Sequence, residues 1–123
     1  IEIFNKKGEA YFRKVETQIF SQLCQESNLV IATGGGVPTV IKNRLCIQKF
    51  CLSIYLKISP DEVLSRLTDD EISARPLFPL NVKEVSRLIK LREKYYKTAS
   101  LTIVVDNLTP KKIVKTICNY ILA

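Results

Sequence analysis

Apolar positions along the chain follow two rhythms. Between Glu9 and Ser27, Phe12, Val15, Ile19, Phe20 and Leu23 recur every three or four residues, the period of a helix with one buried stripe. Leu29-Val30-Ile31-Ala32-Thr33 is instead an unbroken run that stops at Gly34-Gly35-Gly36. Such a run predicts a buried strand, and its lack of alternation predicts a parallel sheet covered on both faces. Cys51–Leu56 and Leu101–Val105 read as two further strands. Pro38 suits a first helical position, with a helix from Thr39 to about Ile47. Ser59 caps a helix opened by Pro60, Asp61 and Glu62 and running to about Thr68, with Val63, Leu64 and Leu67 inward. Val82–Thr98 is helical, with Val85, Leu88, Ile89 and Tyr96 as core contacts. Thr109 caps and Pro110 opens a last helix, Lys111–Leu122. Ile1–Lys7 reads as a helix end stopped by Gly8. Residues 69–80 lack periodicity and hold Pro76 and Pro79, so they read as a loop long enough to form a lid. The alternation of strands and helices predicts an α/β sandwich on a parallel sheet, residues 1–123 forming one domain.

Composition narrows the function. The chain has 123 residues, 46% hydrophobic and 25% charged, which is ordinary for one globular domain. No apolar run approaches the length of a membrane span, and the opening Ile-Glu-Ile-Phe-Asn-Lys-Lys is no signal peptide. The net charge is +7, yet no basic-aromatic pattern or zinc finger marks a nucleic-acid binder. Most of that charge serves solubility, with attraction of small anions as the functional alternative. The four cysteines are irregularly spaced and there is no histidine. This argues against a zinc site and removes histidine-activated nucleophiles. Reduced thiols in a cytoplasmic protein are expected, and with no surplus apolar stripe apparent the expectation is a monomer.

Three places carry candidate chemistry. Gly34, Gly35 and Gly36 lie at the carboxyl end of a strand, where ligands of open α/β sheets bind. Glycine there permits positive φ and close backbone approach, and the N–H groups can face an anion; a bare tight turn fits equally well. Arg13 offers a planar fork that matches a carboxylate, with Glu16 on the same side of its helix. An i,i+4 pair of Glu9 with Arg13 explains the same residues without a ligand. Arg92 on a helix and Arg75 in the loop read either as solvated charges or as anion grips.

These residues stand in an order that resembles one family. Ile3-Phe4-x-x-x-Gly8-Glu9-x-x-Phe12-Arg13-x-x-Glu16 is similar to the shikimate-contacting segment of shikimate kinases. Gly34-Gly35-Gly36, Arg75-Pro76-Leu77 and Arg92-x-x-x-Tyr96 follow at similar spacing. Each motif alone is weak; all four in order make the match specific. The resemblance implies a three-layer parallel-sheet sandwich of the P-loop kinase type, related to nucleoside-monophosphate kinases. It also implies transfer of the γ-phosphoryl group of ATP to the 3-hydroxyl of shikimate, with Mg²⁺. Arg13, oriented by Glu16, and Arg92 would grip the shikimate carboxylate, with Phe4 and Phe12 as apolar wall and the glycine turn beside it. Arg75 would reach the ATP phosphates from the lid. Arg66 would stack on adenine, and Asn107 and Pro110 would lie in the adenine-side loop.

The departure from the family pattern lies at the N-terminus. The strand leading into G-x-x-x-x-G-K-[ST], and the aspartate-bearing strand after it, are not in this sequence, and with them go the phosphate lysine and the Mg²⁺ ligands. The expected fold is therefore incomplete at its N-terminus, and the 123 residues alone should be inactive and insoluble, molten or dependent on the missing segment. Leu29–Thr33 and Cys51–Leu56 should lie about two strand spacings apart, near 10 Å. Two rival readings remain at this point. One is another small-molecule kinase, such as a gluconate kinase, against which the two arginines argue. The other is a kinase-like binding or regulatory module without a P-loop.

Overall fold

The structure, a computed structural model, describes residues 8–66 and 81–123. Phe4, Arg75, the expected helix end at 1–7 and the expected lid at 69–80 lie outside the described residues. In chain order the elements are α1 (Glu9–Leu23), a 3₁₀ turn (Val37–Thr39), α2 (Ile41–Phe50), β1 (Ile54–Lys57), α3 (Pro60–Arg66), α4 (Val82–Tyr96), β2 (Leu101–Val104) and α5 (Pro110–Leu122). The strands β1 and β2 pair in parallel, Ile54 opposite Leu101 and Lys57 opposite Val104. The chain is α/β with a parallel sheet, as its sequence pattern requires.

Helix starts follow from local chemistry. Asn81 accepts the Glu84 N–H at 2.8 Å and Thr109 accepts the Lys112 N–H at 3.2 Å, each satisfying a donor that the first helical turn leaves free. Ser59 does the same for Glu62 at 3.4 Å. The strand expected over Cys51–Leu56 begins only at Ile54 and runs to Lys57, and two further expectations need correction. The helix expected over Thr39–Ile47 begins only at Ile41, because Val40 is extended (φ −92°, ψ 124°) and separates the 3₁₀ turn from α2. Leu29–Thr33 forms no ladder with any described strand. A strand exists through its hydrogen-bonded neighbours, and without one Val30 stands fully exposed. Leu29–Thr33 and β1 do not pair with each other.

Two apolar clusters hold the described part together. Phe20, Cys24 and Val37 are buried against Ile31, Cys46, Ile47 and Cys51. Ile103, Val105 and Ile113 are buried against Ile54, Ile58, Leu101, Leu108 and Ile117. The α1 stripe is less covered than its period implies. Phe20 is buried, whereas Ile19 is 53% exposed, and the stripe lines an open groove of about 280 Å³ facing Ile31–Gly34 and Val37. The exposed apolar side chains also include Leu56, Val104, Ile121 and Leu122, so the expected lack of a surplus apolar surface does not hold for the described residues. No described helix is long and apolar enough to cross a membrane, and all four cysteines are free.

Candidate functional site

The 3₁₀ turn and the extended stretch before it place Gly34, Gly35 and Gly36 between α1 and α4. α1 carries Arg13 half-buried, and its Nη1 donates to Glu16 Oε1 at 2.8 Å. Glu9 Oε1 lies at 4.0 Å from Arg13 Nε. The i,i+4 pair is thus the looser of the two, and Glu16 is the residue that orients the guanidinium. The Arg13 guanidinium carbon lies 5.3 Å from the Phe12 ring centroid.

Each glycine meets a different charged or polar group. A side chain at Gly36 would collide with the Arg13 guanidinium, 2.5 Å from its Cζ and 2.6 Å from Nη2. One at Gly35 would lie 2.9 Å from both Arg92 Nη1 and the Tyr96 hydroxyl. One at Gly34 would touch Glu16 Oε2 at 3.4 Å. Among the described residues the only glycine with positive φ is Gly8, and Gly36 is helical (φ −83°, ψ −15°). These glycines therefore serve close approach, not left-handed backbone, which corrects half of the sequence argument. The N–H groups of Gly35 and Gly36 donate no hydrogen bond among the described residues. No described carboxylate pairs with Arg92. One turn thus gathers two guanidinium groups and two backbone donors, a set that complements a small carboxylate.

Sequence reasoning missed three supports of this turn. Asn43 on α2 is fully buried, and its Nδ2 donates to Val37 O at 3.0 Å. Arg44 donates to Pro38 O at 2.8 Å while its guanidinium lies 4.5 Å over the Tyr95 ring. Tyr96 donates to Gly35 O at 2.7 Å. The signal for Asn43 was its place one turn before Cys46 and Ile47, on the apolar side of α2.

Arg66, Asn107 and Pro110 meet at a second place. Arg66 Nη2 donates to Val105 O at 3.0 Å and Leu108 O at 3.4 Å, and Glu62 holds its Nε at 3.0 Å. Asn107 takes φ 62° in the turn before Pro110 opens α5. Asp106 accepts the Ser59 N–H at 2.9 Å, and hydrogen bonding from Ser59 holds its carboxyl below the usual carboxylate range. The edge of the Arg66 guanidinium is thus used to fasten the 105–108 loop, and a stacking role would fall to its face. Among the described residues no group of three or more histidine, cysteine or acidic side chains could hold a metal ion.

A family model described as shikimate kinase matches residues 1–122. The shikimate kinase of Enterococcus faecalis is 36% identical over 118 residues, covering 94% of this chain and 70% of that protein. That of Sulfurihydrogenibium sp. is 33% identical over 116 residues, covering 94% and 69%. Among solved structures, a shikimate kinase from Acinetobacter baumannii in complex with shikimate is similar with a TM-score of 0.89 and 31% identity, covering 98% of this chain and 68% of that one. The shikimate kinase from Aquifex aeolicus gives 0.75 and 32%, covering 95% and 68%.

Proposed function

Since the chain belongs to the shikimate kinase family, which phosphorylates shikimate with ATP and Mg²⁺, we propose that its glycine turn is where the shikimate carboxylate is held. The observation that supports this most directly is steric. The spaces that side chains at Gly35 and Gly36 would fill are taken by Arg92, Tyr96 and Arg13. Arg13, with Glu16 fixing its orientation, supplies one edge of the grip, Arg92 the other, and the amides of Gly35 and Gly36 the donors beneath. Phe12, together with Phe4 from outside the described residues, gives the apolar wall beside the ring. Two arginines from different elements fix both the place and the rotation of a small acid. They also reject neutral sugars and polyols, because an unfilled charged site costs more than a missing apolar contact. The solved Acinetobacter relative holds shikimate, which supports the same substrate for this chain. The gluconate-kinase and regulatory-module readings are not favoured. Binding of shikimate against its methyl ester, measured by calorimetry, tests the grip: equal affinity for the two would remove it.

On the nucleotide side, Arg66, Asn107 and Pro110 form the adenine edge, and Arg75 reaches the transferring phosphoryl group. Phosphoryl transfer asks little covalent work of the protein and much positioned charge. A charge that matters most as the group transfers is seen in turnover, not in binding. In the active full-length enzyme, Arg75→Ala should therefore lower kcat roughly tenfold to a hundredfold, worth about 1.4–2.7 kcal/mol of barrier, with the KM for shikimate near normal. Steady-state kinetics giving an unchanged kcat would dismiss this role. The four free thiols fit a reducing compartment, and the cytoplasm is the natural place for the reaction.

A further inference from the structure

Two tyrosines connect the sheet to the glycine turn. On α4, Tyr96 follows Arg92 by one turn, so both side chains reach the same side of Gly35, and the Tyr96 hydroxyl donates to Gly35 O at 2.7 Å. The Tyr96 ring packs on the ring of Tyr55 from β1, with centroids 5.1 Å apart and planes tilted by 51°. Tyr55 is itself fixed, because its hydroxyl donates to Glu93 Oε2 at 2.6 Å and Lys57 Nζ lies 3.3 Å from Glu93 Oε1. The reach thus runs from Lys57 and Tyr55 on β1, through Glu93 and Tyr96 on α4, to the turn.

The Gly35–Gly36 peptide is trans, like every described peptide, and a trans peptide is close to planar, so its carbonyl and the following N–H point in opposite directions. A phenol that holds the carbonyl therefore sets the direction of the Gly36 N–H, which donates no hydrogen bond among the described residues. Glycine at both positions leaves that peptide free to rotate unless something fixes it. We infer that Tyr96, held by Tyr55, is a positioning residue for shikimate binding: its hydroxyl fixes the Gly35–Gly36 peptide so that the Gly36 N–H is presented to the substrate carboxylate. It contacts protein, not substrate, and acts through the backbone of the turn. The inference rests on the assignment of the turn to the carboxylate.

The test is Tyr96→Phe in the active full-length enzyme, which keeps the ring and its packing on Tyr55 and removes the hydroxyl alone. One net hydrogen bond corresponds to roughly a three- to tenfold change in affinity, so the KM for shikimate should rise by about that factor. The KM for ATP should stay at its wild-type value, and the thermal midpoint should fall by no more than the loss of one hydrogen bond. Tyr55→Leu, which removes the ring behind Tyr96 but leaves its hydroxyl, should raise the KM for shikimate by a smaller factor. An unchanged KM for shikimate in Tyr96→Phe overturns the inference. So does a parallel rise in both KM values with a falling thermal midpoint, or a failure to fold, since either makes the hydroxyl a general structural support. Arg13→Ala measured alongside separates the two levels. Lost shikimate binding in Arg13→Ala with normal Tyr96→Phe removes the tyrosine role alone, and normal binding in both removes the carboxylate assignment as well.

Discussion

Replacing Arg13 or Arg92 by alanine in the active full-length enzyme is expected to weaken shikimate binding about thirtyfold or more while leaving ATP binding nearly unchanged. Truncating one partner of a buried charge pair costs about 2–5 kcal/mol, or thirtyfold to several thousandfold. The Arg13 side chain is 22% exposed, so some solvent screening applies and the lower half of that range is the expected one. Arg92 has no described carboxylate partner, and removing it strands no charge among the described residues; its loss should appear in binding with little change in stability. Gly36→Ala provides an independent route to the same result. The added methyl would occupy the place of the Arg13 guanidinium, which is the end of a flexible side chain and can move aside. The fold should persist while the grip is lost. Calorimetry that finds wild-type shikimate affinity in both arginine variants would end the assignment.

The parts of this arrangement that were legible in the sequence are those set by neighbours along the chain. The period of α1, the helical run of α4, the caps at Ser59 and Thr109, and the Arg13–Glu16 pair at i,i+3 are all local. The parts that were not legible depend on what lies across the fold. Leu29–Thr33 has strand composition, but a ladder needs a partner, and no described strand provides one. The α1 stripe has helical spacing, but whether Ile19 is covered depends on what sits over the groove. The glycines announced a turn, and of the two reasons the sequence offered only close approach holds: they make room for Arg13, Arg92 and Tyr96 and do not adopt positive φ. Tyr55 and Glu93 stand 38 residues apart, and no periodicity links them. The family pattern put Arg92 beside the turn; the residues alone left it as one charge on a solvated helix. Phe4 and Arg75 remain assignments by resemblance, since they lie outside the described residues.

Asn43→Asp should be the most destabilising single-atom exchange near the site. Asn43 is fully buried, and its Nδ2 donates to Val37 O one residue after the glycine turn. Its Oδ1 is buried without a partner among the described residues. Replacing the amide nitrogen by oxygen removes the donor, sets two acceptors against each other, and leaves no described group to compensate a carboxylate. An uncompensated charge at such a depth costs about 3–5 kcal/mol, a large part of a stability of about 5–15 kcal/mol. The pH dependence follows from the sign of the shift. Burial raises the folded-state pKa of the new carboxyl above its unfolded value of about 3.9, so between the two values the folded state holds the proton. Stability of the variant then falls as pH rises from about 4 through the folded pKa, and acidification returns part of it, because the protonated acid can again donate to Val37 O. Asn43→Leu keeps the branched skeleton and its heavy-atom count without a titrating group, so its loss should be flat with pH. Denaturant melts from pH 4 to 8 distinguish these outcomes. A variant Asn43→Asp as stable as the wild type at neutral pH would show that α2 does not hold the turn through this bond.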